Sequence, residues 1–345
     1  MMNRDEAREV KAQLADYVDE LVQRQGLQPL DLDVATASGP TLGLGLAPRD
    51  GGGYAMAVRY RLGVPAVRRL ARKVVEQAGP AVDVRRTGRI RPVTTGHVAD
   101  AESGEQRAGQ RLPVATALAE GETGRARPLR PGVSIAHVAV TAGTLGAFVV
   151  RDGALHVLSN FHVLAGTPRA QIGDVIVQPG PADGGAAPRD RVGTLAQLVP
   201  LERGRSATVD AAIALLDEQD VDLRYPVGPI TTTTVAFGNE EVAKIGRTTA
   251  VTTGRVTAIE LDDVVVGYGN PLGNLRFDDQ IEVESTGAGP FSRGGDSGSL
   301  VYRADGVALG LLFAGSETGG SNGSGLTYLN PIDAVLSALG VELAS

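Results

Sequence analysis

The chain has 345 residues and a formal net charge of -7, with 42% hydrophobic and 21% charged residues, 46 glycines and no cysteine. This length predicts about two domains, and this hydrophobic content excludes an intrinsically disordered chain. The absence of cysteine excludes disulfides, cysteine nucleophiles and thiolate metal sites.

The N-terminal segment combines high charge with a helical pattern. Six of the first eleven residues are charged, so the segment lacks the apolar core of a secretory signal and we expect a cytoplasmic protein. Apolar residues then recur at helical spacing up to Gly26, which is a common helix terminator. Residues 1–26 are therefore predicted to form an amphipathic helix whose apolar stripe contains Val10, Leu14, Tyr17, Val18, Leu21 and Val22.

Residues 27–96 alternate between strand and helix patterns. Apolar runs at 41–46 and 54–60 predict strands, Pro65–Gln77 predicts a helix with proline in its first turn, and 81–85 predicts a further strand. No polar constellation in this region suggests chemistry. We therefore expect a small α/β domain with a regulatory or recognition role. A linker rich in Gly, Glu and Pro is expected to follow it at 97–130.

From residue 131 onward the pattern changes to short β-branched runs separated by Gly, Asp and Asn. Pro131–Val150 has no charged residue, but its polar residues and glycines predict two short strands joined by a turn. Pro331–Leu339 predicts a closing helix, and Leu223–Thr234 is positioned to join two barrels. A dozen or so strands without long helices predict a mainly β domain, a sandwich or a barrel pair, over 131–345. The predicted strands are 143–150, 154–159, 174–177, 192–198, 209–216, 242–245, 249–259, 264–268, 280–283, 299–302 and 307–314.

Charge divides the chain unevenly. Residues 1–130 carry 20 basic and 16 acidic side chains, net +4, and residues 131–345 carry 13 and 24, net -11. The basic excess is concentrated in one cluster, a pattern compatible with nucleic-acid binding. No nucleic-acid motif or aromatic platform accompanies it, so we favour a solvated face or a surface that docks on the acidic half. The cluster comprises Arg61, Arg68, Arg69, Arg72, Lys73, Arg85, Arg86, Arg89 and Arg91.

Three segments carry residue types suited to nucleophilic catalysis. His162 lies in Leu-Ser-Asn-Phe-His-Val-Leu-Ala at the end of an apolar strand, a context that the other three histidines lack. Asp210 opens an apolar strand among small residues, where a carboxylate is either a turn residue or a buried acid with a partner. Ser297 lies in Gly-Gly-Asp-Ser-Gly-Ser. Glycines on both sides allow a tight loop that presents the hydroxyl and aims backbone N–H groups at one point.

In the order His, Asp, Ser, these segments resemble the catalytic motifs of the chymotrypsin-like serine proteases. The separations of 48 residues from His162 to Asp210 and 87 from Asp210 to Ser297 are comparable with that fold. Subtilisins and α/β-hydrolases place the three residues in other orders. The Leu-Ser-Asn-x-His-Val-Leu-Ala form is similar to the DegP/HtrA branch. Further segments resemble a bacterial and plant group that includes the plant narrow-leaf protein, namely 144–148, 192–195, 244–249 and 310–315.

The resemblance implies a double β-barrel and a serine endopeptidase that hydrolyses peptide bonds through an acyl-enzyme. Ser297 would be the nucleophile and His162 its general base, while Asp210 would fix the tautomer of the imidazole. The backbone N–H groups of Gly295 and Ser297 would form the oxyanion hole.

Substrate contacts are expected at two places. An extended peptide would add a strand at the edge that contains Phe313, Ala314 and Gly315. Phe291, six residues before the nucleophile, predicts a pocket that prefers small or apolar side chains, because a cation buried beside an aromatic ring lacks a paired carboxylate. Glu317 lies close enough in sequence to leave that preference open.

Two residues depart from the pattern of the family. Asp296 occupies the position that binds a newly formed N-terminus in zymogen-activated relatives, so here it needs another partner or stays solvated. Phe313 occupies a position where many relatives have a serine beside the catalytic aspartate. The expected support of Asp210 is weaker for that reason.

No phosphate-binding loop, dinucleotide fingerprint or zinc-ligand spacing occurs. We therefore expect no cofactor, no metal, no membrane contact and no nucleic acid. The expected partners are a protein or peptide substrate and a regulatory protein bound through the N-terminal domain. Two alternatives remain open: a scaffold protein that keeps the fold with a misaligned triad, and a nucleic-acid-binding protein with a protease tail.

Overall fold

A computed structural model describes residues 2–24, 42–61, 65–93 and 120–345, and the structural statements below concern these residues. The N-terminal helix α1 spans Arg4–Arg24, within the residues 1–26 for which a helix is predicted. Most of the predicted linker at 97–130 lies outside the described residues. The other N-terminal elements are β1 Leu42–Pro48, β2 Tyr54–Arg61, α2 Pro65–Ala78, β3 Val82–Thr87 and β4 Ile90–Pro92.

The middle of the chain is built from short strands, in keeping with its β-branched runs. The helix α3 spans Phe161–Leu164, and a single 3-10 turn lies at Pro181–Asp183. The strands are β5 Ser134–His137, β6 Gly143–Thr144, β7 Ala147–Arg151, β8 Ala154–Ser159, β9 Val175–Val177, β10 Arg191–Leu198, β11 Ser206–Ala207, β12 Ala212–Leu216, β13 Arg224–Tyr225, β14 Gly228–Pro229 and β15 Thr232–Thr233.

The C-terminal part contains longer strands and one helix. Helix α4 spans Ile332–Leu339, as its apolar spacing predicts. The strands are β16 Glu241–Gly246, β17 Ala250–Asp262, β18 Val264–Gly269, β19 Gly273–Phe277, β20 Gln280–Ser285, β21 Leu300–Arg303, β22 Val307–Ser316, β23 Leu326–Pro331 and β24 Glu342–Leu343.

Two sheets dominate the fold. Six strands in the order β16-β21-β22-β23-β20-β17 close into a barrel, because β17 also pairs with β16. Eight strands in the order β24-β7-β8-β12-β10-β9-β5-β6 form a half-barrel. The predicted mainly β fold is confirmed, with one closed barrel and one half-barrel for the double β-barrel that the resemblance implied.

The N-terminal strands continue the sheet of the closed barrel. Strand β1 pairs antiparallel with β17, β2 pairs antiparallel with β1, and β3 pairs parallel with β2 after the intervening helix α2. Helix α1 packs on this layer through Leu14 and Leu21, which are buried. A methyl group at Gly45 would lie 2.9 Å from the carbonyl oxygen of Ile259, so β1 approaches β17 this closely only because the residue is glycine.

Ion pairs join the basic N-terminal region to the acidic barrel. Arg4 and Arg8 each lie 2.7 Å from Glu260. The buried Arg59 lies 2.7 Å from Glu282, which is also buried. These three arginines lie outside the basic cluster; within it, Arg85 lies 2.8 Å from Glu284, as the docking alternative expects. The division of the chain near residue 96 stays a prediction.

No helix among the described residues is long and apolar enough to cross a membrane.

Candidate active site

His162 and Asp210 are brought together by the pairing of two strands in the half-barrel. Strand β8 ends at Ser159, which lies opposite Ala212 at the start of β12. In an antiparallel pair, the residues after one strand therefore lie beside the residues before the other. His162 lies in α3 directly after β8 and Asp210 directly before β12, so the two side chains meet at the same end of the sheet.

The imidazole of His162 is held by the carboxylate of Asp210. Nδ1 of His162 is hydrogen-bonded to Oδ2 of Asp210, and the backbone N–H of His162 donates to Oδ1 at 3.3 Å. Both side chains are almost completely buried. A carboxylate accepts from Nδ1–H, so the proton sits on that nitrogen and Nε2 is left as the proton acceptor.

Three further side chains hold Asp210, and sequence analysis predicted none of them. The hydroxyl of Tyr268, on β18, donates to Oδ2 of Asp210. Asn330 accepts the backbone N–H of Asp210 at 2.9 Å, and the side-chain amide of Asn160 donates to its carbonyl oxygen at 2.7 Å. Burial and the Asp210 carboxylate raise the pKa of Tyr268 well above its usual value, so the phenol stays a proton donor.

Tyr268 supplies the support for Asp210 that Phe313 cannot give. Phe313 is fully buried, and its ring centroid lies 4.7 Å from that of Phe277. Phe277 in turn stacks on Tyr268 at 6.0 Å. Phe313, which lacks a hydroxyl, thus packs against Phe277, and Phe277 stacks on Tyr268, which provides the hydroxyl. Because these residues lie on separate strands, no local pattern in the sequence could have linked them.

Ser297 enters the site from the closed barrel, in the loop that leads into β21. Its side chain is fully buried, and its hydroxyl donates to the carbonyl oxygen of Phe313 at 3.3 Å. Nε2 of His162 has no hydrogen-bond partner among the described residues. Proton transfer from Ser297 to His162 would therefore require the Ser297 hydroxyl to leave the Phe313 carbonyl oxygen and turn toward Nε2, a contact that often forms only with substrate bound.

The predicted oxyanion donor Gly295 points at a carbonyl oxygen. Its backbone N–H donates to the carbonyl oxygen of Val93 at 2.7 Å. The hydroxyl of Thr248 donates to the carbonyl oxygen of Gly294 at 2.6 Å. Since N–H and C=O point in opposite directions across a trans peptide, this bond orients the Gly295 N–H. Gly295 has a φ of 101°, and a Cβ there would lie 2.4 Å from Oγ1 of Thr248, so the position requires glycine.

Asp296 finds its partners in the segment 244–249. Its carboxylate accepts the backbone N–H groups of Thr248 and Thr249 at 2.8 and 3.1 Å. The ammonium of Lys244 lies 3.6 Å away, and both charged groups are fully buried. Burial lowers the pKa of Lys244 despite the nearby carboxylate. Asp296 therefore has another partner, as the sequence required, in a lysine and two backbone amides.

Two of the four predicted substrate contacts, Phe291 and Gly315, line a cavity of about 200 Å³ together with Glu317. Phe313 and Ala314 are not part of its lining. The edge that contains Ala314 and Gly315 is paired with β4. The structure pairs His162 with Asp210, while the contact of His162 with Ser297 stays a prediction. Among the described residues, no group of three or more His, Asp or Glu side chains could hold a metal ion.

Comparison with solved structures finds serine proteases at low similarity. Thermobifida fusca protease A is 19% identical with a TM-score of 0.44, and the match covers 63% of this chain and 98% of that one. A glutamic acid-specific serine protease is 24% identical with a TM-score of 0.44, covering 63% and 100%. A serine endoprotease from Yersinia pestis is 16% identical with a TM-score of 0.34, covering 60% and 61%.

No model of a known protein family and no curated protein matches the sequence. The similarity to the DegP/HtrA branch and to the narrow-leaf group therefore has no support beyond the motifs themselves. At such identities and TM-scores the structural matches do not bear on activity, which has to be argued from the site.

Proposed function

We propose that the protein is a serine endopeptidase that hydrolyses peptide bonds through an acyl-enzyme. The observation that carries the proposal is the arrangement of three groups. The buried His162–Asp210 pair leaves Nε2 of His162 without a hydrogen-bond partner among the described residues, and the loop of Ser297 aims the Gly295 N–H at a peptide carbonyl oxygen. Thr144 joins that loop to the end of β8, three residues before His162: its N–H donates to the Ser297 carbonyl oxygen at 2.8 Å, and its carbonyl oxygen accepts from the Ser159 hydroxyl at 2.7 Å. A base, a nucleophile and an oxyanion donor are the three groups that acyl transfer needs.

Each residue has a role that follows from its contacts. Asp210 and Tyr268 keep the imidazole in one tautomer and orientation, so that Nε2 of His162 accepts the proton of Ser297. The Gly295 N–H stabilises the negative charge that develops on the carbonyl oxygen. His162 then returns the proton to the leaving amine, and water releases the acyl group by the same steps in reverse.

The pocket supports a preference for small or apolar side chains. Phe291 lies in the cluster of buried apolar side chains that also contains Val93 and Leu312. A charged group that entered this cluster would lose its hydration without a buried partner. Glu317 is more than half exposed and lies 3.8 Å from Arg91, so its charge is largely screened by solvent.

The remaining parts of the proposal concern the setting of the enzyme. We propose a cytoplasmic location and a regulatory or targeting role for the N-terminal region. The contacts of β1 with β17, and of Arg4 and Arg8 with Glu260, support the second role because they connect that region to the barrel that carries Ser297.

The test is covalent labelling with a fluorophosphonate, followed by peptide hydrolysis. We expect Ser297 to be labelled in the wild type, and Ser297→Ala and His162→Ala each to lower turnover by about three orders of magnitude or more. Both variants should remain folded, with the far-ultraviolet circular dichroism of the wild type. Equal hydrolysis by the wild type and Ser297→Ala would contradict the proposal.

A scaffold protein with an inactive triad is the second candidate. The hydrogen bond from Ser297 to the Phe313 carbonyl oxygen favours it, because that contact directs the hydroxyl to an acceptor other than His162. A scaffold would bind peptides without cleaving them, and its Ser297 would not react with the fluorophosphonate.

A further inference from the structure

The candidate substrate cleft is occupied by a strand of the same chain. Strand β4 pairs antiparallel with the end of β22, with Pro92 opposite Ala314, Arg91 opposite Gly315, and Ile90 opposite Ser316. Ala314 and Gly315 in this pairing are two of the three residues expected to bind an extended peptide. Strand β4 therefore occupies the place where β-strand addition would put a substrate.

Val93, directly after β4, lies at the reacting centre. Its backbone N–H donates to the carbonyl oxygen of Phe313 at 3.2 Å, and its carbonyl oxygen accepts from the Gly295 N–H at 2.7 Å. The Phe313 carbonyl oxygen also accepts from the hydroxyl of Ser297. The carbonyl oxygen of Phe313 thus accepts hydrogen bonds from both the Val93 N–H and the Ser297 hydroxyl. This shared acceptor places Val93 close to the candidate nucleophile.

The side chain of Val93 fills the mouth of the predicted pocket. It is only 7% exposed and belongs to the same apolar cluster as Phe291. A methyl group added at Gly315 would lie 3.3 Å from Cγ2 of Val93, so this glycine leaves just enough room for a β-branched side chain. Backbone and side chain therefore both hold Val93 as a substrate residue would be held.

We infer that residues 90–93 are a substrate strand built into the chain, and that Ser297 cleaves the peptide bond that follows Val93. The inference rests on the proposed serine endopeptidase activity and assigns that activity a first substrate, the chain itself. It also names valine as an accepted residue at the cleaved bond.

The reaction needs only the groups in the cleft and water. Oγ of Ser297 bonds to the carbonyl carbon of Val93 while its proton passes to Nε2 of His162, and the negative charge collects on the oxygen held by Gly295. The C–N bond after Val93 then breaks, and His162 gives its proton to the departing amine. Water adds to the acyl-enzyme and leaves a carboxyl group on Val93 and a hydroxyl on Ser297.

The cleaved N-terminal fragment is expected to stay bound. Its strand β1 pairs with β17, and Arg85 lies 2.8 Å from Glu284 on β20. The buried pair of Arg59 and Glu282 adds a further contact. Cleavage would therefore give two chains that co-elute in native buffer and separate only after denaturation.

The test uses the full-length protein and intact mass spectrometry under denaturing conditions. We expect the wild type to yield a fragment that ends at Val93, and Ser297→Ala to give a single intact mass. Val93→Asp should reduce the cleaved fraction about tenfold or more, because it puts a charge into an apolar pocket. Val93→Ala should still be cleaved, but more slowly.

Two controls make the result specific. Val84→Asp changes a valine of β3 that is 41% exposed, and it should leave cleavage after Val93 unchanged. Tagged Ser297→Ala mixed with the wild type should stay intact, because each copy cuts the strand in its own cleft. Cleavage of the tagged copy at the rate of the wild type would overturn the inference.

A second readout separates failure of this inference from failure of the proposed function. Val93→Asp, in which the strand is expected to leave the cleft, is treated with fluorophosphonate and with Ile-Arg-Pro-Val joined to an aminocoumarin. An intact wild type together with labelling and hydrolysis in this variant would refute self-cleavage and leave the endopeptidase standing. An intact wild type with neither reaction in any variant would refute both.

Discussion

Oδ2 of Asp210 is shared by two donors, Nδ1 of His162 and the hydroxyl of Tyr268. A carboxylate oxygen that accepts two hydrogen bonds is fixed in position, and a fixed carboxylate fixes the imidazole. Tyr268 does not touch the reacting atoms, so it is a positioning residue. Its contribution should appear in the chemical step more than in substrate binding.

Tyr268→Phe should lower kcat about tenfold with little change in KM, because one charge-assisted hydrogen bond is lost while the ring stays in place. Hydrolysis of the Ile-Arg-Pro-Val aminocoumarin substrate gives both constants. The matched control is Tyr225→Phe, which removes another buried hydroxyl, bonded to the carbonyl oxygen of Gly146 at 2.8 Å. Equal effects of the two variants on kcat would show that Tyr268 acts only through folding.

Strand β16 contacts the loop of Ser297 through its buried lysine. Lys244 reaches the loop of Ser297, where it lies 3.6 Å from Asp296, and it also donates to the carbonyl oxygen of Ala250 at 3.0 Å. A barrel strand and the nucleophile loop are thereby joined by a charge pair without access to water. Such a pair contributes little net stability, but removing one partner leaves an uncompensated buried charge.

Lys244→Met should therefore destabilise the protein by about 3–5 kcal/mol, measured as the free energy of unfolding in urea. The double variant Lys244→Met/Asp296→Asn removes both charges and should recover much of that loss. A single variant as stable as the wild type would mean that the carboxylate of Asp296 does not need the ammonium.

The turn between β17 and β18 contains Asp263, whose ionised form is disfavoured by its surroundings. Burial raises the pKa of Asp263 to about 6, and Asp278 and Asp262 add to the rise while Arg276 opposes it. Between about pH 4 and pH 6, the Asp263 carboxyl is therefore protonated in the folded state and ionised in the unfolded state. The free energy of unfolding therefore decreases as the pH rises through that window. Above the window, the contribution of Asp263 no longer changes with pH.

Asp263→Asn should remove this pH dependence. The stability of the variant relative to the wild type should increase between pH 4 and pH 7, measured by urea unfolding at several pH values. A difference that stays constant over this range would contradict the assignment. Asparagine also tolerates the positive φ of 61° at this position, so the backbone of the turn should be kept.

Local patterns in the sequence predicted many elements and missed those that depend on distant partners. Residues 154–159 were predicted as a strand and form β8, while β4, β19 and β23 were not predicted. Strand β4 has three residues, one of them proline, and exists because β22 offers an edge. Likewise His162, Asp210 and Ser297 lie in recognisable motifs, whereas Tyr268 has none, because its role comes from a long-range contact.

At the scale of the whole molecule, the N-terminal layer and the closed barrel form one continuous sheet. The pairing of β1 with β17 forms the seam between them, and Gly45 of β1 lies close to Ile259 and Leu261 at this seam. The charged contacts of α1 lie beside this seam. Loosening the seam should therefore release the N-terminal layer without opening the barrel, whose own strands pair around the full ring.

Gly45→Val should loosen the seam, because its Cβ would lie 2.9 Å from the backbone of Leu261. We expect faster amide hydrogen exchange in β1, β2 and β3, with little change in β16, β20 and β21. Gly124→Ala is the control, since a Cβ at that position meets nothing within 4 Å. Faster exchange throughout the barrel would show that the two parts unfold as one unit.

The short connection between β3 and β4 has a quantitative consequence for any other substrate. Only Gly88 and Arg89 separate the anchored strand from the strand in the cleft, so the tethered strand competes at an effective concentration on the order of millimolar or higher. A peptide supplied from solution must exceed that concentration or bind correspondingly more tightly. A ligand that drew the N-terminal layer away from β17 would lower the effective concentration of the tethered strand. The apparent KM for peptides in solution would then fall as well.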